Sequence, residues 1–187
     1  LLGGRWSLLT RTELEPTAAA AATCELLLDR YGVVTKGAVT VEEVPGGFSR
    51  VYRALQVFED SGGVRRGYYI DGLGGAQFST PEIIEQLRTK GPRSLHAQPH
   101  PILLAALDPA NPYGSILPWP EHSTAHPSRA AGALVVLADG EGIAHLTRGG
   151  RVLTLFGDEE ARPRHAALVV RALQEAGLRI PDDVAVM

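Results

Sequence analysis

The sequence predicts an α+β fold in two parts: a helical unit tipped by a β-hairpin, then a small antiparallel β unit with a C-terminal helix. Three observations predict it. Phe48, Val51, Tyr52, Leu55 and Phe58 recur at helical spacing, which gives one helix an apolar, core-seeking face. Gly62-Gly63 then breaks that helix, and the run Val64 to Ile70 alternates in polarity like a hairpin strand. In the second half, Asp139-Gly140-Glu141 and Arg148-Gly149-Gly150 separate short apolar runs, a strong hairpin signal.

The elements follow in order. Pro16 in a first turn opens a helix over Thr17–Tyr31, rich in alanine, and Gly32 ends it as a C-cap. Val33-Val34-Thr35 forms a short strand. Thr35 caps a second helix over Lys36–Glu43, with Val39 and Val44 facing inward, and Pro45-Gly46-Gly47 turns into the third helix, which ends at Ser61. On its far face lie Ser49, Arg50, Arg53, Gln56 and Glu59. The hairpin begins in Arg65-Arg66 and returns through Gly75-Ala76-Gln77-Phe78. Helix, short strand, helix, turn, helix and hairpin is the layout of a winged helix-turn-helix, whose third helix fits a major groove while the wing contacts flanking phosphates. The same layout also serves protein–protein contact.

Thr80-Pro81-Glu82 opens a short helix to about Thr89, with Ile83, Ile84 and Leu87 on one side. The winged-helix domain is thus set at residues 1–90, followed by a Pro-containing linker over 91–102 and a β domain over 103–187. In that domain Ile102–Leu107 is a buried-type run, Asp108 to Gly114 a chain of turns, and Ala133–Ala138, Gly142–Thr147 and Arg151–Phe156 three strands. Arg164–Gly177 is an amphipathic helix, and Leu178-Arg179-Ile180 is a candidate edge strand.

Composition bounds the function. With 187 residues, 44% hydrophobic and 21% charged, the chain can build a core. A net charge of −3 requires any nucleic-acid contact to come from a local basic patch. The single cysteine, Cys24, rules out an internal disulfide and Cys-based zinc clusters and points to a reducing compartment. No apolar run approaches the roughly 20 residues that span a bilayer. The chain begins on Leu1 rather than Met, as expected of a piece of a longer polypeptide.

Few residues carry chemistry on their own. No phosphate-binding loop is present, since Lys36-Gly37 and Gly62-Gly63 lack its other members. His96/His100 and His122/His126 have metal-ligand spacing but sit in Pro-containing loops without a third ligand, so no metal is expected. Asp71, Asp108 and Asp139 lie in turns, where an aspartate normally caps backbone N–H groups. Asp71 and Asp108 remain the weak candidates for a catalytic acid. Trp6, Trp119, Tyr113 and Phe78 are weighed between base stacking and packing, with packing favoured.

Five blocks then carry a likeness. They are Gly4–Leu9, Leu28–Thr35, Val44–Phe48, Gly72–Phe78, and Asp108–Gly114 followed by Leu117-Pro118-Trp119-Pro120. Together they resemble the C-terminal region of the long bacterial Lhr (large helicase-related) proteins, superfamily 2 ATP-dependent DNA helicases, over about residues 4–180. The resemblance implies an ATPase motor, with its ATP and Mg, elsewhere on a parent chain, so this segment itself needs no cofactor. It implies cytoplasmic work in DNA repair with DNA, single-stranded or tailed duplex, as partner, alongside other domains of the helicase and a possible second copy. It also implies kinship with winged-helix DNA glycosylases, yet their Gln-x-Gln motif is missing and Gln77 stands alone. Asp182 to Met187 likewise departs from the family's basic end. The expectation is a non-motor nucleic-acid-binding and assembly module in which Lys36, Arg50, Arg53, Arg65 and Arg66 touch phosphate and the segment is not catalytic by itself. A glycosylase-like base-excision module and a purely structural oligomerisation module are the alternatives, the latter favoured by the net charge.

Overall fold

A computed structural model describes residues 7–8, 14–89, 99–179 and 184–187. The chain forms two compact units, Leu1–Gln86 and Leu87–Met187. Trp6, His96, most of the expected linker, Ile180 and Asp182-Asp183 lie outside the described residues.

In the first unit, α1 (Pro16–Tyr31) starts with proline in its first turn and ends at Gly32, whose positive φ of 67° a side chain would strain. Strand β1 (Val33–Val34) follows, then α2 (Lys36–Val41), where the Thr35 hydroxyl accepts from Ala38 N–H at 3.1 Å. Helix α2 stops short of the expected Glu43. Glu42 N–H bonds back to the Ala38 carbonyl, and Glu43 takes a left-handed φ of 49° that the helix cannot continue. The Glu42 carboxylate accepts from the Tyr31 hydroxyl and pairs with Arg30 at 3.2 Å, tying α2 to the end of α1. Burial and that bond raise the Tyr31 pKa above its ordinary value.

Helix α3 (Gly47–Asp60) presents its apolar face to α1. Val51 and Leu55 are buried against Cys24, Leu27, Val34 and Phe78, while Phe48, Tyr52 and Phe58 are half-buried around them. Cys24 donates to the Val51 carbonyl, and burial pushes its thiol pKa up to about 11, so it packs as a small hydrophobe. Strands β2 (Arg65–Gly67) and β3 (Gln77–Ser79) pair antiparallel with Arg66 opposite Phe78, and β1 joins β3 on its other edge. Only three residues of the expected Val64–Ile70 strand are paired; Tyr68 to Ala76 is a loop. Helix α4 (Pro81–Thr89) follows with Ile84 buried.

The second unit is a five-stranded sheet in sequence order: β4 (Pro101–Ala105), β5 (Leu134–Ala138), β6 (Glu141–Leu146), β7 (Val152–Leu155) and β8 (Ala185–Val186). One face takes α5 (Ala161–Glu175), whose Leu168, Val169, Ala172 and Leu173 pack on Val136, Ile143, Ala144 and Leu153. Two expectations are corrected. The edge strand is Ala185–Val186, which joins β7 in parallel, so the sheet is not wholly antiparallel, and Leu178-Arg179 form no strand. Helix α5 begins three residues ahead of Arg164 because the Asp158 carboxylate accepts from Ala161 N–H at 2.8 Å.

Candidate nucleic-acid interface

The five cations expected at phosphate fall into two groups. Arg53 is exposed on α3, Arg65 is exposed on β2 and Lys36 is exposed at the start of α2. Among the described residues none of their side-chain charges has an ion-pair or hydrogen-bond partner. Arg66 is also exposed, but its Nη1 donates to the Tyr52 hydroxyl at 2.8 Å and its Nε lies 3.6 Å from Glu59. It fastens the wing's first strand to α3.

Arg50 departs from the expectation of an exposed recognition-helix residue. It is half-buried, its Nη2 donates to the Pro16 carbonyl at 3.1 Å, and it lines a shallow cleft with Ala20, Thr23, Val44 and Val51. The cause is α1, which packs along that side of α3 and turns position 50 inward. Glu59, also expected on the far face, is half-buried beside Arg66. The outward face of α3 is therefore Ser49, Arg53, Gln56, Val57 and Asp60, polar but close to neutral.

The wing is built around Gln77, which is fully buried. Its Oε1 accepts from the N–H groups of Tyr69 at 2.9 Å and Ile70 at 2.8 Å. Its Nε2 donates to the carbonyls of Ile70 and Leu73, both at 3.0 Å. One amide thus satisfies four backbone groups of a loop that has no ladder of its own. The Tyr69 ring folds back over Gly67, where an added Cβ would lie 2.9 Å from it, and its hydroxyl donates to the Arg65 carbonyl. Tyr68, next in sequence to that tucked ring, is 86% exposed. Sequence reading missed both residues. Paired tyrosines in an alternating segment were the available signal for one ring in and one ring out.

The other candidates resolve toward structure. Phe78 is buried, with Tyr52 edge-on at 5.5 Å. Tyr113 stacks on Trp119 at 6.2 Å and bridges Gly140 and Gly142 through its hydroxyl. Trp119 in turn meets His145 edge-on at 5.2 Å. The Asp108–Gly114 turns are gathered by Arg129, which donates to the carbonyls of Leu107, Asp108, Asn111 and Tyr113. The Asp108 carboxylate accepts from Ala110 N–H and the Asp71 carboxylate from Gly72 N–H, so both aspartates cap their own turns. His122 Nδ1 accepts from the N–H groups of Thr124 and Ala125, and His100 lies 3.9 Å from Glu175. Among the described residues no three His, Cys, Asp or Glu side chains converge on a metal-sized site, and no helix is long and apolar enough to cross a membrane.

Comparison with known proteins agrees with the winged-helix fold of the first unit. The family model described as "Large helicase-related protein, winged-helix domain" matches residues 13–99, which encloses α1 through α4 and the wing. A protein of Mycolicibacterium smegmatis named "Lhr helicase/ probable uracil glycosylase" is 48% identical over 96% of this chain and 12% of its own length. An Escherichia coli protein named "Lhr helicase/uracil glycosylase" is 41% identical over 85% of this chain and 10% of its own. The chain spans about an eighth or less of these curated relatives. A winged-helix model of the family matched over residues 13–99, together with 48% and 41% identity to Lhr proteins over 96% and 85% of the chain, places this chain in the large helicase-related family.

Proposed function

We infer that this segment is a non-motor nucleic-acid-binding and assembly module of an Lhr-type, ATP-dependent DNA helicase acting in DNA repair. The observation that carries it is the wing: a loop pinned by a buried glutamine, beside a helix whose outward face holds Arg53 and whose neighbouring strand exposes Arg65. Phosphate contact falls first to Arg53, Arg65 and Lys36, whose charges have no partner among the described residues. Arg66 contributes while also holding the wing to α3. Arg50 serves the α1–α3 contact. Motor, ATP and Mg belong to other parts of the parent protein, and the partner is DNA with a single-stranded portion.

Salt dependence tests phosphate contact more directly than affinity alone, because each neutralised phosphate releases counterions. The Arg53→Ala/Arg65→Ala variant lowers the slope of log K against log salt by roughly two units, about one per lost phosphate contact. An unchanged slope would move these arginines to partner contacts and leave assembly as the function.

A second reading rests on the names of the two relatives, each of which includes uracil glycosylase. In it a flipped base enters a pocket and an aspartate positions water. The turn-capping bonds of Asp71 and Asp108 argue against those two residues in that role. Uracil-containing single strands, assayed for abasic sites with Asp71→Asn and Asp108→Asn, separate the readings: base release lost in either variant would restore catalysis here.

A further inference from the structure

Tyr68 is the most exposed aromatic side chain among the described residues, and its position is not that of a loosely held surface ring. The loop that carries it is fixed on both sides. On one side Gly67 closes the paired strand opposite Gln77, and on the other Tyr69 and Ile70 N–H groups are held by the Gln77 amide. Tyr69 anchors the backbone further through its hydroxyl on the Arg65 carbonyl. Tyr68 therefore pays little backbone ordering cost on meeting a ligand. Its hydroxyl has no partner among the described residues, and the cation of Arg65 stands on the strand just before it.

A rigid loop that offers a bare aromatic face, on a wing whose first strand exposes Arg65, suits an unpaired nucleotide: the ring stacks on the base while the wing's cation neutralises phosphate along the same strand. Every base has a π-face, so such a site takes single strands with little sequence preference. In a duplex both faces of each base are already stacked, so duplex offers Tyr68 nothing comparable. A protein partner would be expected to cover a wider apolar area, whereas the other exposed residues of this loop are Asp71, Gly72, Gly74 and Gly75, none of them a large apolar side chain.

We propose that Tyr68 at the wing tip is a stacking platform for one unpaired base of a nucleic-acid strand, giving this module its preference for single-stranded over duplex regions. The proposal rests on the nucleic-acid-binding function inferred above. Its test uses the 187-residue chain and a short single strand carrying 2-aminopurine, whose fluorescence is quenched on stacking, with a blunt duplex of the same sequence as comparison.

Tyr68→Ala weakens single-strand binding roughly 5- to 150-fold and abolishes the quenching, while duplex binding and the melting temperature stay as they were. Tyr68→Phe keeps the π-face, so it retains the quenching and binds within about twofold of the unaltered chain. Tyr68→Ala that binds and quenches like the parent chain would overturn the stacking site, yet leave the module a nucleic-acid binder if Arg53→Ala/Arg65→Ala still lowers affinity. Equal losses on single strand and duplex would also overturn it, by reducing Tyr68 to a general wing contact. Binding to neither nucleic acid would remove the underlying function and the stacking site with it.

Discussion

Replacing Gln77 by alanine tests the wing at its foundation. The side chain makes four hydrogen bonds with the backbone of residues 69–73, and the amide itself is fully buried. A net intramolecular hydrogen bond contributes about 1 kcal/mol, so four sum to about 4 kcal/mol if nothing replaces them. The loop's backbone groups are only part-buried, and water entering the vacated space recovers some of that, leaving about 2–4 kcal/mol. Set against a domain stability of roughly 5–15 kcal/mol, this is a large loss. In a unit of this size it lowers the melting temperature by about 10 °C or more. Amide hydrogen exchange localises the effect: Tyr69 and Ile70 lose protection first, ahead of the α1–α3 core. Gln77→Glu sharpens the argument, because its carboxylate would face the Ile70 and Leu73 carbonyls. Its native pKa is then raised above the ordinary value near 4.3, so the variant is most stable below that pH and weakens as pH rises. Wild-type melting together with unchanged protection at Tyr69 and Ile70 in Gln77→Ala would refute the reasoning.

Two further predictions concern the second unit. His145 is buried, its Nε2 donating to the Ser128 carbonyl at 3.1 Å, and burial lowers its pKa below the ordinary 6.5. The unfolded chain therefore binds a proton before the folded one does, and stability is full above about pH 6.5 and falls as pH drops below it. Urea titrations between pH 7.5 and 5.5 should show that fall and a flatter dependence in His145→Gln; equal slopes would exclude the imidazole as cause. At Gly114, with φ of 73°, an added Cβ would lie 2.4 Å from the Trp119 indole nitrogen. Gly114→Ala should displace Trp119 from Tyr113 and His145, cost about 3 kcal/mol or more, and shift tryptophan emission to the red. A variant that melts and emits like the parent would mean that this turn relaxes freely.

What the sequence conveyed depended on how local the cause was. The apolar face of α3 was legible because Val51 and Leu55 obey a helical period that packing preserved. Thr35 and Gly32 were legible as caps, since both act on backbone within one turn. The Asp108–Gly114 turns were readable as turns, but the role of Arg129 was not, as it reaches them from 16 to 22 residues away. Arg50 sits on the polar side of a helical wheel, and only the packing of α1 turns it inward. The edge strand β8 has two residues, too few to carry any period. Gln77 was noticed only as half of an absent motif, whereas its work in this chain is to organise the wing.

The interface itself is tested most directly by mapping amide chemical shifts of the ¹⁵N-labelled chain as a short single-stranded DNA is titrated in. Backbone signals at Ser49, Arg53 and Gln56 on α3, at Arg65, and at Tyr68 on the wing should move together and saturate with one binding curve. Core signals such as Leu27 and Val39 should stay in place. Shifts confined to the second unit, or to the exposed side of α1 around Leu26, would contradict the account, because nucleic acid would then be held by a surface other than the helix and wing.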